Sequence, residues 1–306
     1  MASLKNIKIK IGSVHKTRKV TRAMEAVSAV KMRKSQDRAL LARPYARAAL
    51  RILVGLSETV DLLHHPLTTE SDVGKVAVVI ITSDKGLAGN LNSAVLRKVE
   101  MFMKEHSLTK KNTVFLCLGR RGYEFAATRG YEIVHFEINL SDDVSEMELR
   151  VLSDTLVGMK TKGEIREVRV AYTNFKSTFE QEAVMHRILP LSQNVLDHII
   201  RGILPQKGMH SELREQEGIK VSAYTMEPDR EEVLNALLPR LVNIAVFHKL
   251  LESKASEHSA RMVAMKSATD KAAEVARDLT LVFNKARQAA ITQEVSEITS
   301  GIEAMK

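Results

Sequence analysis

The chain has 306 residues, 44% of them apolar and 27% charged, which is ample for a sizeable core and ordinary for a soluble protein. Aromatic residues make up only 4% and tryptophan is absent, so part of the chain is expected to be long helix with little wide core. The net charge is +9, the single cysteine (Cys117) excludes an internal disulfide, and no uninterrupted apolar run reaches the roughly 20 residues of a membrane span.

The N-terminus MASLKNIKIK lacks the apolar stretch of a secretory signal and resembles no transit peptide. Residues 1–51 hold 14 Lys and Arg against only Glu25 and Asp37, a net +12, which leaves −3 for the remainder. Such a segment suits nucleic acid, an anionic membrane surface, or acidic loops on a partner protein. The stretch KTRKVTRAMEAVSAVKMRKSQDR carries no interleaved aromatics for base stacking and no known recognition module, so an acidic protein partner ranks above nucleic acid. A solvated helix face is its plainest reading.

Helix is predicted from a cap at Ser3 to about residue 60. Leu4, Ile7, Ile11 and Val14 are spaced 3, 4, 3, and Val20, Met24 and Val27 are spaced 4, 3, a narrow stripe of coiled-coil type. At 1.5 Å per residue the helix would extend roughly 80 Å. HHPLTTESDVG then breaks the pattern, with His64 and His65 expected to face water.

KVAVVIITSD is a β-branched run that reads as a strand covered on both faces. A turn and helix follow in GLAGNLNSAVLRKVEMFMKEH, a second buried strand in TVFLCLG, a short helix in RRGYEFAATRG and a third strand in YEIVHFEI. SEMELRVLSDTLVGMKTKG is a helix with a capping pattern at Ser145 and a stop at Gly163. EIREVRVAYTNF and EAVMHRILPL supply two more strands, so a mostly parallel α/β sheet is expected from about 75 to 190. Residues 191–220 read as loop. A final helix is expected to kink at Pro239, near Asn235, and then to run about 60 residues, roughly 90 Å, without another proline.

Two long terminal helices with stripes too narrow to be stable alone are expected to pair as an antiparallel coiled coil. Leu279, Phe283, Ala286 and Ala290 would serve the pair. Ile291, Val295, Ile298 and Ile302, one residue out of phase, would continue as a single helix past the partner's end. The domain reading is therefore 1–60 for the N-terminal helix, 75–225 for the α/β domain and 229–306 for the C-terminal helix.

TSDKGLAGN (82–90) lies between strand and helix, where α/β folds bind phosphates, but it has neither a GxGxxG nor a GxxxxGK[ST] pattern. A tight connection, a nucleotide site and a partner-contact loop all remain open for it. The histidines show no metal-binding spacing, Cys117 lies in an apolar strand as an inert thiol would, and no nucleophile elbow is present. No catalytic, cofactor or metal residue is assigned. In NKARQAAITQE, Arg287, Gln288, Thr292 and Glu294 sit close together beside the small Ala289 and Ala290, where an arginine would make charge-assisted bonds to carboxylates.

The stretches TRAMEAVSAVKMRKSQDRA, RPYA, TSDKGLAGNLN, YTMEPD, ARMVAMKSATD and LVFNKARQAAITQEVSEITSG resemble the gamma subunit of F-type ATP synthases from end to end. The resemblance implies a coiled-coil shaft beside a Rossmann-like domain. It also implies a central rotor, one copy per complex, standing inside a ring of alpha and beta subunits, with its foot on the membrane c-ring beside the epsilon subunit. Catalysis would belong to beta, and gamma would couple it to proton flow and help regulate ATPase activity. Residue by residue, the resemblance points to Met24, Arg261, Gln288, Thr292 and Glu294 as coupling-sensitive positions. Arg287 and Gln288 would meet acidic loops on beta, and Asp84 and Lys85 would lie in an exposed loop near the collar. Tyr224 and Glu227 would face the c-ring. Asn90 departs from the smaller residue common in the family, and the cysteine-pair insertion of redox-regulated chloroplast members is absent. A bacterial protein, peripheral on the cytoplasmic side of the inner membrane, is the expected setting.

Overall fold

The computed structural model describes residues 4–57, 65–192, 195 and 230–305, with side chains described for 4–38, 65–192, 195 and 232–305. The chain forms two compact units, one made of Met1–Ser28 with Arg261–Lys306 and the other of Ala29–Ala260.

The second unit is built on five strands. β1 (Lys75–Ile81) and β2 (Thr113–Leu118) are buried almost throughout, as expected of β-branched runs covered on both faces. β3 (Glu132–Glu137) alternates exposed and half-buried residues, the pattern of an edge. β4 (Ile165–Phe175) and β5 (Gln181–Leu189) complete the order β3-β2-β1-β4-β5, with every pairing parallel except β4 with β5.

The helical segment at 146–161 starts and stops at the two signals its sequence carries. Before α4 (Arg150–Thr161), the chain enters through a 3₁₀ turn at Glu146–Leu149. The Ser145 backbone N–H donates to the Glu148 carboxylate at 2.7 Å, half of a capping box. Gly163 then stops α4 at a φ of +73°, where a side chain would be strained.

Each face of the sheet has its own core. α2 (Leu91–Glu105) and α3 (Arg120–Thr128) cover one face through Val95, Val99, Phe102 and Phe125. α4 covers the other with Leu152 and Leu156, joined there by Leu238, Val242, Val246 and Leu250 of α5 (Arg230–Ala304). An apolar window in α5 would by hydropathy alone pass for a membrane span, but 61% of it is buried inside the chain. Pro239 sits inside α5 and does not end it.

Some expectations change. His65 is half-buried rather than turned to water. Its Nδ1 accepts the Leu67 N–H at 3.1 Å, and its Nε2 lies 3.0 Å from Asn235 Oδ1. His64, Ser3 and nearly all of the stretch read as loop at 191–220 fall outside the described residues. Cys117 is fully buried and, as expected of an inert thiol, desolvation pushes its pKa up to about 12.

The first unit pairs the start of α1 (Leu4–Ser57) with the end of α5. The helices are antiparallel. Thr21 of α1 meets Thr269 of α5, while Lys31 and His258 share one carboxylate, so advancing along α1 means going back along α5. Leu4, Ile7, Ile11 and Val14 turn inward as their spacing predicts. The expected continuation through Val20 and Val27 does not hold, since these are 58% and 55% exposed and Thr21 and Ser28 are buried instead. The reason is phase: seven-residue steps from Val14 lead to 21 and 28, and shifting to 20 and 27 would rotate the stripe by about 100° away from the partner.

The polar seam satisfies itself. The Thr21 and Thr269 hydroxyls lie 2.7 Å apart, and Thr269 Oγ1 is 2.8 Å from the Met265 carbonyl that takes its proton. Replacing both threonines with valine keeps their shape and removes the need for this bonding, so Thr21→Val with Thr269→Val is expected to raise stability by about 1 kcal/mol. A urea titration followed by circular dichroism would check this, and a lowered midpoint would show the hydroxyl pair to be a net stabiliser.

On α5 the inward positions are Met265, Thr269, Ala272, Ala276, Leu279, Phe283, Ala286 and Ala290. From Ile291 to Met305 every residue is exposed, and Ile291, Val295, Ile298 and Ile302 are each more than half so. The out-of-phase apolar set thus belongs to a helix end without a seam, as its register predicts.

Candidate functional site

The tip of α5 carries the densest group of sequence-selected residues. Arg287, Gln288, Thr292 and Glu294 are all exposed. Seven residues separate Arg287 from Glu294 and four separate Gln288 from Thr292, so two neighbouring helical faces present them. Thr292 bonds back to its own helix, its hydroxyl donating to the Gln288 carbonyl at 2.9 Å. Ala289 faces outward and Ala290 faces the seam, which keeps this segment slender on both sides.

Met24 and Arg261 lie differently. Met24 is half-buried and Arg261 is buried, so both belong to the helix pair itself. A change there acts first on how the two helices fit. Tyr224 and Glu227 fall outside the described residues.

Asp84 and Lys85 belong to the α/β unit, in the loop after β1. Asp84 Oδ1 accepts the backbone N–H of Arg120 at 2.9 Å, so its carboxylate serves the start of α3. Around it, the Ser83 hydroxyl donates to the Lys85 carbonyl at 2.7 Å, Asn92 brackets Ser83, and Thr82 Oγ1 accepts the Gly122 N–H at 2.8 Å. A phosphate at this helix start would have to displace the loop's own carboxylate. The geometry is that of a tight connection with an outward-facing Leu87.

Sequence reasoning missed a cluster around Asp142. Its Oδ2 lies 2.7 Å from Lys31 Nζ, and its Oδ1 lies 3.0 Å from His258 Nε2 and 3.7 Å from Lys254 Nζ. The Asp142 carbonyl accepts from Arg38 at 2.9 Å. Next to it, Asp143 Oδ1 pairs with Lys34 at 2.8 Å and Arg38 at 3.1 Å. The hydrogen bond from His258, helped by Lys31, holds the Asp142 carboxyl well below the ordinary carboxylate range against the opposing effect of burial. The cations come from the basic segment that the sequence left open to outside partners. At its C-terminal end, the acidic partner is a loop of the same chain. The i, i+3 and i+7 spacing of Lys31, Lys34 and Arg38 puts them on one helix face, but nothing in the sequence showed which carboxylates face them.

Among the described residues no group of His, Cys, Asp and Glu is placed to hold a metal ion.

A family model described as ATP synthase matches residues 3–305. The fold is shared with chains of solved assemblies. A chain of the Euglena gracilis mitochondrial ATP synthase, from an OSCP/F1/c-ring structure in rotational state 3, aligns with a TM-score of 0.64 at 14% identity, covering 99% of this chain and 94% of that one. A chain of the Euglena gracilis rotor in rotational state 1 gives 0.58 at 13% identity, with 94% and 98% covered. A chain of the Tetrahymena thermophila mitochondrial central stalk and c-ring gives 0.56 at 21% identity, with 81% and 99% covered.

Proposed function

The chain belongs to the ATP synthase gamma-subunit family, the rotor of the central stalk, and from that premise we propose how it couples proton flow to ATP synthesis and hydrolysis. The end of α5, with the start of α1 beside it, is the shaft inside the ring of alpha and beta subunits. One copy serves each complex. No residue of this chain is given a catalytic or cofactor-binding role; the nucleotide chemistry takes place on beta. Proton flow through the c-ring turns the shaft in one direction, and ATP hydrolysis turns it in the other. The contacts of residues 75–225 with the c-ring and epsilon, including those of Tyr224 and Glu227, form the foot. The setting is the cytoplasmic face of a bacterial inner membrane, with the protein bound peripherally.

The observation that carries this reading is the light construction of the α5 tip. A part that must turn inside its neighbours has to be held lightly. The exposed Ile291, Val295, Ile298 and Ile302 stand about one per helical turn with small and polar residues between them, so no broad apolar patch adds a large barrier to rotation. Alanine, serine and threonine let the surrounding ring approach, while Arg287, Gln288 and Glu294 offer contacts that pass from one equivalent subunit to the next. Coupling needs a surface that interacts differently with each conformation of the ring, and a two-helix shaft ending in one helix is asymmetric by construction. Met24 and Arg261 act through the fit of the helix pair, and Asp84 and Lys85 through the loop they belong to.

Co-expression with alpha and beta subunits tests the proposal. The chain is expected to co-purify with them as one gamma per ring, and the ring is expected to lose rotation of an attached probe when residues 287–305 are removed. A chain that purifies apart from alpha and beta would overturn it.

A further inference from the structure

We propose that Asp142 is a fastener that locks α1 to α5 so that torque enters both helices together. This rests on the rotor reading above and goes beyond it, because it names a residue in the α/β unit that makes the helix pair stiff.

The argument starts from what the helices lack. At this level α1 buries Met32 and Ser35, while α5 buries Leu251 and Ala255 together with Ser253, Lys254, Ser256, His258 and Ser259. Most of these side chains are small or polar, so packing alone gives limited resistance to one helix sliding along or rolling on the other. Directed polar contacts therefore decide the register. The loop between β3 and the Ser145 cap supplies them, reaching Lys31 and Arg38 on one helix and Lys254 and His258 on the other through a single residue. Leu140 adds its carbonyl, which accepts from Lys254 at 3.0 Å.

The loop itself is held. Val144 is buried in the sheet core, the Asp143 N–H donates to the Ser141 hydroxyl at 3.0 Å, and Ser145 begins the cap of the next turn. A fixed carboxylate bonded to both helices resists relative motion along their axes and around them. The exposed Asp143 carboxylate, paired with Lys34 and Arg38 of α1, supports one arm of the fastener.

The test uses the intact complex in lipid vesicles, with two readouts: protons pumped per ATP hydrolysed, and torsional stiffness of the rotor in single-molecule rotation. Asp142→Asn is expected to lower both about threefold, the scale of a lost part-exposed ion pair. Asp142→Glu is expected to retain most of each, and Lys31→Gln to show a smaller loss. Glu100→Gln, which breaks only the exposed pair with Arg129, is expected to change neither. Wild-type pumping and stiffness in Asp142→Asn would overturn the fastener alone, as would an equal loss in Glu100→Gln. If Asp142→Asn does not assemble, Lys31→Gln decides in the same way, because its exposed side chain can be changed with little effect on folding. Vesicles of the wild-type complex that fail to pump with ATP would overturn the rotor reading, and the fastener with it.

Discussion

Gly119→Ala is expected to destabilise the α/β unit by about 4 kcal/mol or more, enough to leave most of it unfolded in a domain of ordinary stability. Gly119 joins β2 to α3 at a φ of +101°, and a Cβ there would stand 2.1 Å from the carbonyl oxygen of Thr82. Thr82 cannot move aside. Its N–H donates to the Leu118 carbonyl at 2.8 Å, and its Oγ1 accepts from Gly122. The clash is therefore with backbone that is already committed on both sides. Gly158, in the middle of α4, has nothing within 4 Å of its missing Cβ. Gly158→Ala is expected to stabilise by roughly 0.5–1 kcal/mol through helix propensity. Thermal unfolding of the two variants should move in opposite directions, and a stable Gly119→Ala would contradict the close approach of these two loops.

Arg287→Ala is expected to leave the fold unchanged and to lower ATP-driven proton pumping about tenfold relative to ATP hydrolysis, the size of one charge-assisted hydrogen bond. The guanidinium is exposed, and among the described residues no hydrogen bond or ion pair is lost with it. The expected effect is therefore on contacts with the surrounding subunits. Arg287→Lys keeps the charge without the two-pronged geometry and is expected to fall between wild type and alanine. Pumping per ATP equal to wild type in Arg287→Ala would remove this arginine from the coupling surface.

The sheet was legible because its signals are local. The run from Lys75 to Ile81, the cap at Ser145 and the left-handed stop at Gly163 each need only a few neighbours. The inward stripes at Leu4 to Val14 and at Leu279 to Ala290 were legible for the same reason, since helical spacing alone puts them on one face. Val20 and Val27 are apolar but stand one residue out of phase with the seam, and they are exposed. Continuity of the seam chose the phase, and placed Thr21 and Ser28 inside. The candidate contacts rest on family resemblance to a greater degree than on local chemistry, and the structure divides them by burial: Arg287, Gln288, Thr292 and Glu294 outside, Met24 and Arg261 in the pair.

By itself, then, the sequence determined the kinds of element, their order and the slenderness of both ends, because these follow from composition and from spacing along one stretch of chain. Which polar residues close the helix seam, and which carboxylate binds α1 and α5 together, were decided only by the tertiary structure. Thr21 and Thr269, or Lys31, Asp142 and His258, are brought within bonding distance from places more than 100 residues apart. A pairing of that kind depends on where the fold delivers each group, and no periodicity along the chain records it.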